Sequence, residues 1–374
     1  MSGTIGAEQA SAGADATQRE IWQQPRLWRE VETSSADAFL APLLARPDLR
    51  IVLTGAGTSA FAGGLLAPEL ARHLHRRVDA IATTDLVSNP AGYLAEDVPT
   101  LLVSFARSGD SPESAAATEL ADQYLTDVHH LVVTCNADGL LAREHGPRAS
   151  SHVLLMPAGS NDRSFAMTSS YTCMVLAAWS ALVGGAPMET LALAGEGVLE
   201  ARDADTRELA TRGYQRIVYL GSGALQSLAK EGALKVLELT AGDIVAYADS
   251  ALGFRHGPKA VLDSKTLAVV FVSDDPYTRR YDEDIALELR ASLGVDHVRV
   301  VAGRRSERLG DEGVWYVDGL DGVPDAVLSL PFVLAAQMLA LRFSLALGHT
   351  PDNPFPSGEV NRVVRGVTIY PVSV

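Results

Sequence analysis

Two hydroxyl-rich loops hold the side chains of this sequence best suited to chemistry. Leu53-Thr54-Gly55-Ala56-Gly57-Thr58-Ser59 reads as a strand running into a Gly-rich turn and then a helix. Glycines let a backbone come close to a ligand, and a helix N-terminus presents unpaired N–H groups. Thr58 and Ser59 add hydroxyls, although Ser and Thr also serve as ordinary N-caps. The loop is not GxGxxG, and Phe61-Ala62-Gly63 does not restore a dinucleotide fingerprint. The second loop is Ser104-Phe105-Ala106-Arg107-Ser108-Gly109-Asp110-Ser111-Pro112-Glu113-Ser114. Pro112 suits a first helical turn, Ser108, Gly109 and Ser111 crowd that helix N-terminus, and Arg107 supplies a cation. Two such loops at the carboxyl ends of strands in one sheet lie where open α/β sheets bind ligands. Together they read as a phosphate cradle. Glu231 and Lys235, four residues apart, read on their own as a helix-surface salt bridge. Glu238 reads as a helix-end glutamate and His256, before Gly257-Pro258, as a loop histidine. His129, His130 and His349 read as structural.

Such loops need a sheet to present them. Short β-rich runs alternate with longer helical patterns, the signature of a parallel sheet covered on both faces. Strands are expected at Arg50–Leu53, Thr100–Phe105, His130–Thr134 and Ser151–Met156, with helices such as Ser59–His73 and Pro112–Tyr124 between them. The second half repeats the scheme at Arg216–Leu220, Thr266–Val272, His297–Val301 and Val314–Val317. Gly55-Ala56-Gly57 recurs 166 residues later as Gly221-Ser222-Gly223, and Phe105 recurs as Phe271 at the same offset. Two copies of one doubly wound α/β unit account for this. The glycine-punctuated stretch Gly184–Gly197 reads as the linker between them.

Composition narrows the function. At 374 residues the chain exceeds what one core usually serves, so two domains are expected. A formal net charge of -15 disfavours nucleic-acid binding. Any phosphate site must therefore be local, built from backbone N–H groups, hydroxyls and one or two cations. Cys135 and Cys173 fall in apolar stretches outside any CxxC or Cys/His cluster and read as small hydrophobes. The N-terminus has neither a basic start nor an apolar core, so it reads as a disordered tail rather than a signal peptide. Leu328–Leu347 is the longest apolar stretch, but Pro331, Gln337 and Arg342 interrupt it. It reads as a buried helix rather than a membrane span, and the compartment as the cytoplasm.

Longer runs add specificity. The GAGTS and ARSGDSPES loops resemble the phosphate-binding loops of SIS (sugar isomerase) domains. Lys230 to Glu238 (KEGALKVLE) resembles the catalytic helix in the isomerase half of glucosamine-6-phosphate synthase. Phe254-Arg255-His256-Gly257-Pro258 resembles the histidine loop that follows that helix. TTDLVSNP, LLVSFARSGDSPES, SFAMTSSYT and the tail PDNPFPSGEVNRVVRGVTI are similar to the galactosamine-6-phosphate deaminase family, also called tagatose-6-phosphate ketose/aldose isomerase. The resemblance runs from Arg19 to Ile369.

It implies two tandem flavodoxin-like SIS domains, at residues 39–190 and 198–374, after a tail and N-terminal helix at 1–38. It implies phosphate contacts from Thr58, Ser59, Arg107, Ser108 and Ser111. Glu238 becomes the proton-shuttling base, His256 the ring-opening acid/base, and Lys235 their neighbour. Arg365 occupies the place of a tail lysine in the synthase; a guanidinium is a poor imine former, which leaves charge stabilisation as its role. The resemblance further implies a homodimer in which His256 serves the neighbouring subunit's site. The chemistry suits these types: one carboxylate moves a proton between C2 and C1, and a histidine exchanges protons with the ring oxygen. No metal or organic cofactor is called for, and no zinc or EF-hand pattern appears. The expected reaction takes galactosamine 6-phosphate and water to tagatose 6-phosphate and ammonia. Simple aldose–ketose isomerisation and cleavage of a fructosamine phosphate are the neighbouring readings. A synthase is disfavoured, because no N-terminal cysteine nucleophile or glutaminase domain precedes the pair. A sugar-phosphate-sensing regulator is the non-enzymatic alternative, though the acidic N-terminus lacks a basic helix-turn-helix.

Overall fold

The computed structural model describes residues 13–364 and 366–372. Strands β1 (Arg50–Thr54), β2 (Val78–Ala80), β3 (Thr100–Ala106), β4 (Val128–Thr134) and β5 (Ser151–Leu155) form one parallel sheet, ordered β2-β1-β3-β4-β5. Strands β6 (Arg216–Leu220), β7 (Val245–Asp249), β8 (Thr266–Val272), β9 (Val298–Ala302) and β10 (Val314–Tyr316) form a second, ordered β10-β9-β8-β6-β7. In chain order both sheets follow one plan, with the second strand at the outer edge beside the first. Helices α1 (Asp15–Trp22), α2 (Gln24–Arg29) and α3 (Asp37–Leu44) precede the first sheet. Its strands are linked through α4 (Thr58–Leu74), α5 (Thr83–Ser88), α6 (Pro90–Tyr93), α7 (Pro112–Tyr124) and α8 (Leu140–His145). Then come α9 (Ser169–Val183) and α10 (Met188–Ala210), and in the second half α11 (Ala224–Leu239), α12 (Thr278–Leu293) and α13 (Asp325–Ala346).

The duplication extends to backbone geometry. Gly57 (φ 55°, ψ −124°) and Gly223 (φ 57°, ψ −127°) start α4 and α11 in matching conformations that a Cβ would strain. Central strands β1, β3 and β8 are buried at every residue, so they appear in sequence as continuous apolar runs. The edge strands β2 and β7 were not expected. β2 has three residues, and β7 alternates between exposed and half-buried positions, so neither carries the apolar run that marks a central strand.

The expected linker is a different structure. A turn at 184–187 leads into α10, which already includes Gly195 and Gly197. A Cβ on Gly195 would lie 2.7 Å from the Trp28 ring, so this glycine admits a close helix-on-aromatic contact rather than flexibility. The N-terminal helix is likewise two, α1 and α2, joined at Gln23 with Pro25 in the first turn of the second. Of the expected disordered tail, residues 1–12 lie outside the described residues.

One apolar core runs through both halves, from Leu27 and Trp28 through Leu53, Phe105 and Leu176 to Leu225, Phe271 and Phe332. Helix α13 lies against α10 and α11 within it. By length and composition α13 could cross a membrane, yet its apolar window is entirely buried in protein. Two of its polar interruptions are paired internally. Gln337 accepts from Gln24 at 2.7 Å, and Arg342 pairs with Asp203 at 2.5 Å and lies over the Trp22 ring.

Candidate active site

Parallel register creates the first half of the site. Thr54 pairs with Ser104 at the carboxyl ends of β1 and β3, so the two hydroxyl-rich loops leave the sheet side by side. They line a small pocket of about 110 Å³ with Ala56, Ser59, Phe105, Arg107, Ser108 and Ser111. Gly109 (φ 70°) turns the second loop, and the Asp110 carboxylate accepts from Leu140 N–H at 2.9 Å, capping α8 and holding the loop. The Ser111 and Ser114 hydroxyls share a hydrogen bond of 2.7 Å at the start of α7. Arg107 is buried; its guanidinium donates to the carbonyls of Phe165 (3.3 Å) and Arg362 (2.9 Å). Desolvation and the neighbouring Arg362 charge lower its pKa.

The second half of the site is brought in by helix packing. Helix α11 lies antiparallel to α4: Thr58 meets Lys235, and Gly64 meets Ser227, whose Oγ would stand 2.5 Å from a Cβ at that glycine. The approach sets a three-charge cluster on one face of α11. Residues 231, 235 and 238 follow i, i+4, i+7 spacing and share a face. Lys235 Nζ donates to Thr58 Oγ1 at 3.0 Å and to Glu238 Oε2 at 2.5 Å, and stands 3.4 Å from Glu231 Oε1. Lys235 and Glu231 are fully buried, while the Glu238 side chain is 22% exposed. One ammonium thus serves two carboxylates. The Lys235 pKa is raised: desolvation lowers it, but Glu231 and Glu238 together outweigh that. Glu231 is pushed up to about 7, chiefly by burial and then by Glu238, against the pull of Lys235. Neither Glu231 oxygen has an aligned hydrogen-bond donor among the described residues. Its burial also places it near enough to raise the buried Tyr171 phenol further, beyond the effect of desolvation.

Of the sequence-predicted residues, the structure gathers Thr58, Ser59, Arg107, Ser108, Ser111, Lys235 and Glu238 into two adjoining clusters. Thr58 and Ser59 join them: the first contacts Lys235, and the second lines the pocket. His256 is not with them. It follows the short turn Gly253–Arg255 and is exposed, and its imidazole has no hydrogen-bond partner among the described residues. Arg365 lies outside the described residues. Sequence reasoning took Glu231 for a surface salt bridge; its spacing from Glu238 was the available signal, but burial was not legible. It also missed Ser114, Met167 and Arg362 in the pocket wall. Met167 is placed by the loop before α9, where the Asp162 carboxylate accepts from the N–H groups of Thr168 (2.8 Å), Ser169 (3.0 Å) and Ser170 (2.9 Å). That cap accounts for the SFAMTSSYT run.

The SIS domain family matches residues 43–184 and 212–317. A Streptomyces coelicolor protein, provisionally named D-galactosamine-6-phosphate deaminase AgaS, is 62% identical over 365 residues, covering 95% of each chain. D-galactosamine-6-phosphate deaminase AgaS from a Shewanella species is 45% identical, covering 98% of this chain and 95% of its own. The crystal structure of tagatose-6-phosphate ketose/aldose isomerase from Escherichia coli superposes with a TM-score of 0.88 at 41% identity, covering 97% of this chain and 99% of that one.

Proposed function

Since the chain belongs to the SIS-domain family and to its galactosamine-6-phosphate deaminase branch, we propose that it converts galactosamine 6-phosphate and water to tagatose 6-phosphate and ammonia. It is an amino-sugar phosphate deaminase/isomerase. The observation that carries the mechanism is the adjacency of pocket and charge cluster through Thr58 and Ser59. A phosphate seated against Ser59, Ser108 and Ser111, with Arg107 behind them, points the sugar chain toward Glu238. Glu238 is the most exposed acid of the cluster, and Lys235 fixes its carboxylate. It takes the C2 proton of the open-chain aldose, giving an enolamine. Returning the proton to C1 yields a ketimine, and water then releases ammonia and leaves the ketose. Acting on a C2 hydroxyl, the same base would give only an enediol and an isomerised sugar. The names of the 41%-identical structural relatives favour that as the second reading.

A homodimer with shared sites belongs to the same proposal. His256 is exposed and makes no contact with Glu238, and Leu237, Val245, Tyr247 and Leu252, on and flanking the edge strand β7, are exposed apolar residues. A second copy covering that edge would bring its own His256 toward the sugar ring. Both cysteines are free thiols, as the cytoplasm allows.

The deciding experiment incubates purified protein with galactosamine 6-phosphate, without added metal or cofactor, and follows ammonia and ketose 6-phosphate. Stoichiometric release is expected. No ammonia, together with ready conversion of tagatose 6-phosphate to galactose 6-phosphate, would replace deamination by isomerisation. Shared sites are tested by mixing Glu238→Gln and His256→Asn proteins after dissociation. Hybrid dimers should recover up to about a quarter of normal activity, since half the population would carry one complete site. No recovery from a verified mixture would exclude sharing.

A further inference from the structure

The pocket wall includes a second cation that no loop motif announced. Arg362 lies on the C-terminal strap, lines the pocket with Val363 and Val364, and is exposed. Its guanidinium donates to the carbonyl of Asp162, and its own carbonyl accepts from Arg107 at 2.9 Å. Two guanidinium groups thus belong to the wall of one small pocket, each anchored by backbone carbonyls. Among the described residues neither has a carboxylate within ion-pair distance. The carboxylate of Asp162 is already occupied by the N–H groups and hydroxyls at the start of α9. Arg107 feels Arg362 as a like charge, an arrangement that a protein with a formal net charge of -15 has abundant carboxylates to relieve. Of the five N–H donors on a guanidinium, the carbonyls use only one or two on each residue, which leaves donors for an anion.

We propose that Arg362 is a specificity-determining residue: with Arg107 it forms a two-guanidinium clamp that selects the dianionic 6-phosphate and holds the strap residues 362–364 over it. The inference rests on reading the pocket as the phosphate site and deepens that reading. A phosphate carries about −1.5 to −2 charge at neutral pH, enough to compensate both cations at once. A neutral sugar would leave their repulsion offset only by the charges of Asp162 and Glu238. Because the phosphate is bound alike in ground and transition states, Arg362 should govern KM rather than kcat.

The test compares Arg362→Gln, which keeps an amide donor for the Asp162 carbonyl, with Arg362→Lys, which keeps the charge. Inorganic phosphate is titrated by calorimetry, and KM and kcat are measured for galactosamine 6-phosphate. For Gln we expect phosphate affinity to fall about tenfold or more and KM to rise in parallel, with kcat within a few-fold of normal. Lys should retain most of the affinity. Raising salt should weaken phosphate binding more in the native protein than in Gln. A Gln variant with native affinity and KM, or equal losses for Gln and Lys, would overturn the clamp and leave Arg362 as a strap anchor. Ammonia release by the native protein is scored separately, so failure of the deaminase reading is visible even where phosphate binds as expected.

Discussion

Replacing Lys235 by Met removes the only cation from a cluster with two carboxylates. Met matches the length and apolar stem of lysine, so the change is electrostatic more than steric. Glu231 and Lys235 are both fully buried, 3.4 Å apart, and the carboxyl sits near 7 even with the ammonium beside it. Breaking one side of a buried pair costs about 3–5 kcal/mol, against a typical total stability of about 5–15 kcal/mol. The pH dependence follows from the sign of the shift. A carboxyl whose folded pKa lies above its unfolded value stabilises the fold below the unfolded pKa, and loses that contribution as pH rises through the folded one. Without Lys235 the folded pKa of Glu231 moves further up, so the deficit should widen from pH 6 to pH 8. Adding Glu231→Gln removes the stranded charge and should recover most of the stability, yet not activity, because Glu238 still lacks its fixed ammonium. Urea denaturation followed by circular dichroism at both pH values measures the deficit, and the ammonia assay measures function. A single variant that loses under about 1 kcal/mol at pH 8, or a double variant no more stable than the single, would refute the assignment of Glu231 as the carboxylate that depends on Lys235.

Three further outcomes follow from particular contacts. Glu238→Gln should keep the fold while turnover drops about 10²–10⁴-fold, with solvent deuterium exchange at C1 or C2 falling alongside; near-normal exchange would remove Glu238 from the proton path. Ser108→Ala should weaken a phosphorylated sugar by about 1.5–3 kcal/mol while leaving its dephosphorylated counterpart unchanged, and equal losses for both would make the loop structural. The third concerns His145, whose imidazole is pushed down to about 4 by burial and by the neighbouring His130 and Arg148, against the pull of Asp122. For a base held neutral in the fold, stability is present above about pH 6.5 and is lost as pH falls toward 4. The melting temperature should therefore drop across that window, and less steeply in His145→Asn; parallel slopes would discount this residue.

Sequence alone determined what depends on local chemistry and periodicity. Eight of the ten strands were legible, the six interior ones because burial on both faces makes them apolar runs and the edges β5 and β10 because they too are short β-rich runs, and the duplication was legible because Gly57 and Gly223 answer the same backbone demand. That Ser59, Arg107, Ser108 and Ser111 would meet at one pocket was legible for a related reason: hydroxyls, a cation and a proline mark helix starts at the carboxyl ends of neighbouring strands. The edges β2 and β7 escaped, since neither holds a buried residue and so neither carries such a run. The supposed linker was misread because a glycine required by packing on Trp28 looks, in one dimension, like a glycine required for flexibility. Tertiary structure alone decided the rest. Only the antiparallel contact of α11 with α4 turns Glu231 and Lys235 from a surface pair into a sealed one beside Thr58, because burial is a property of what lies opposite and not of spacing along a helix. The same holds for Arg362, separated from Arg107 by 255 residues of chain and brought beside it by one carbonyl hydrogen bond.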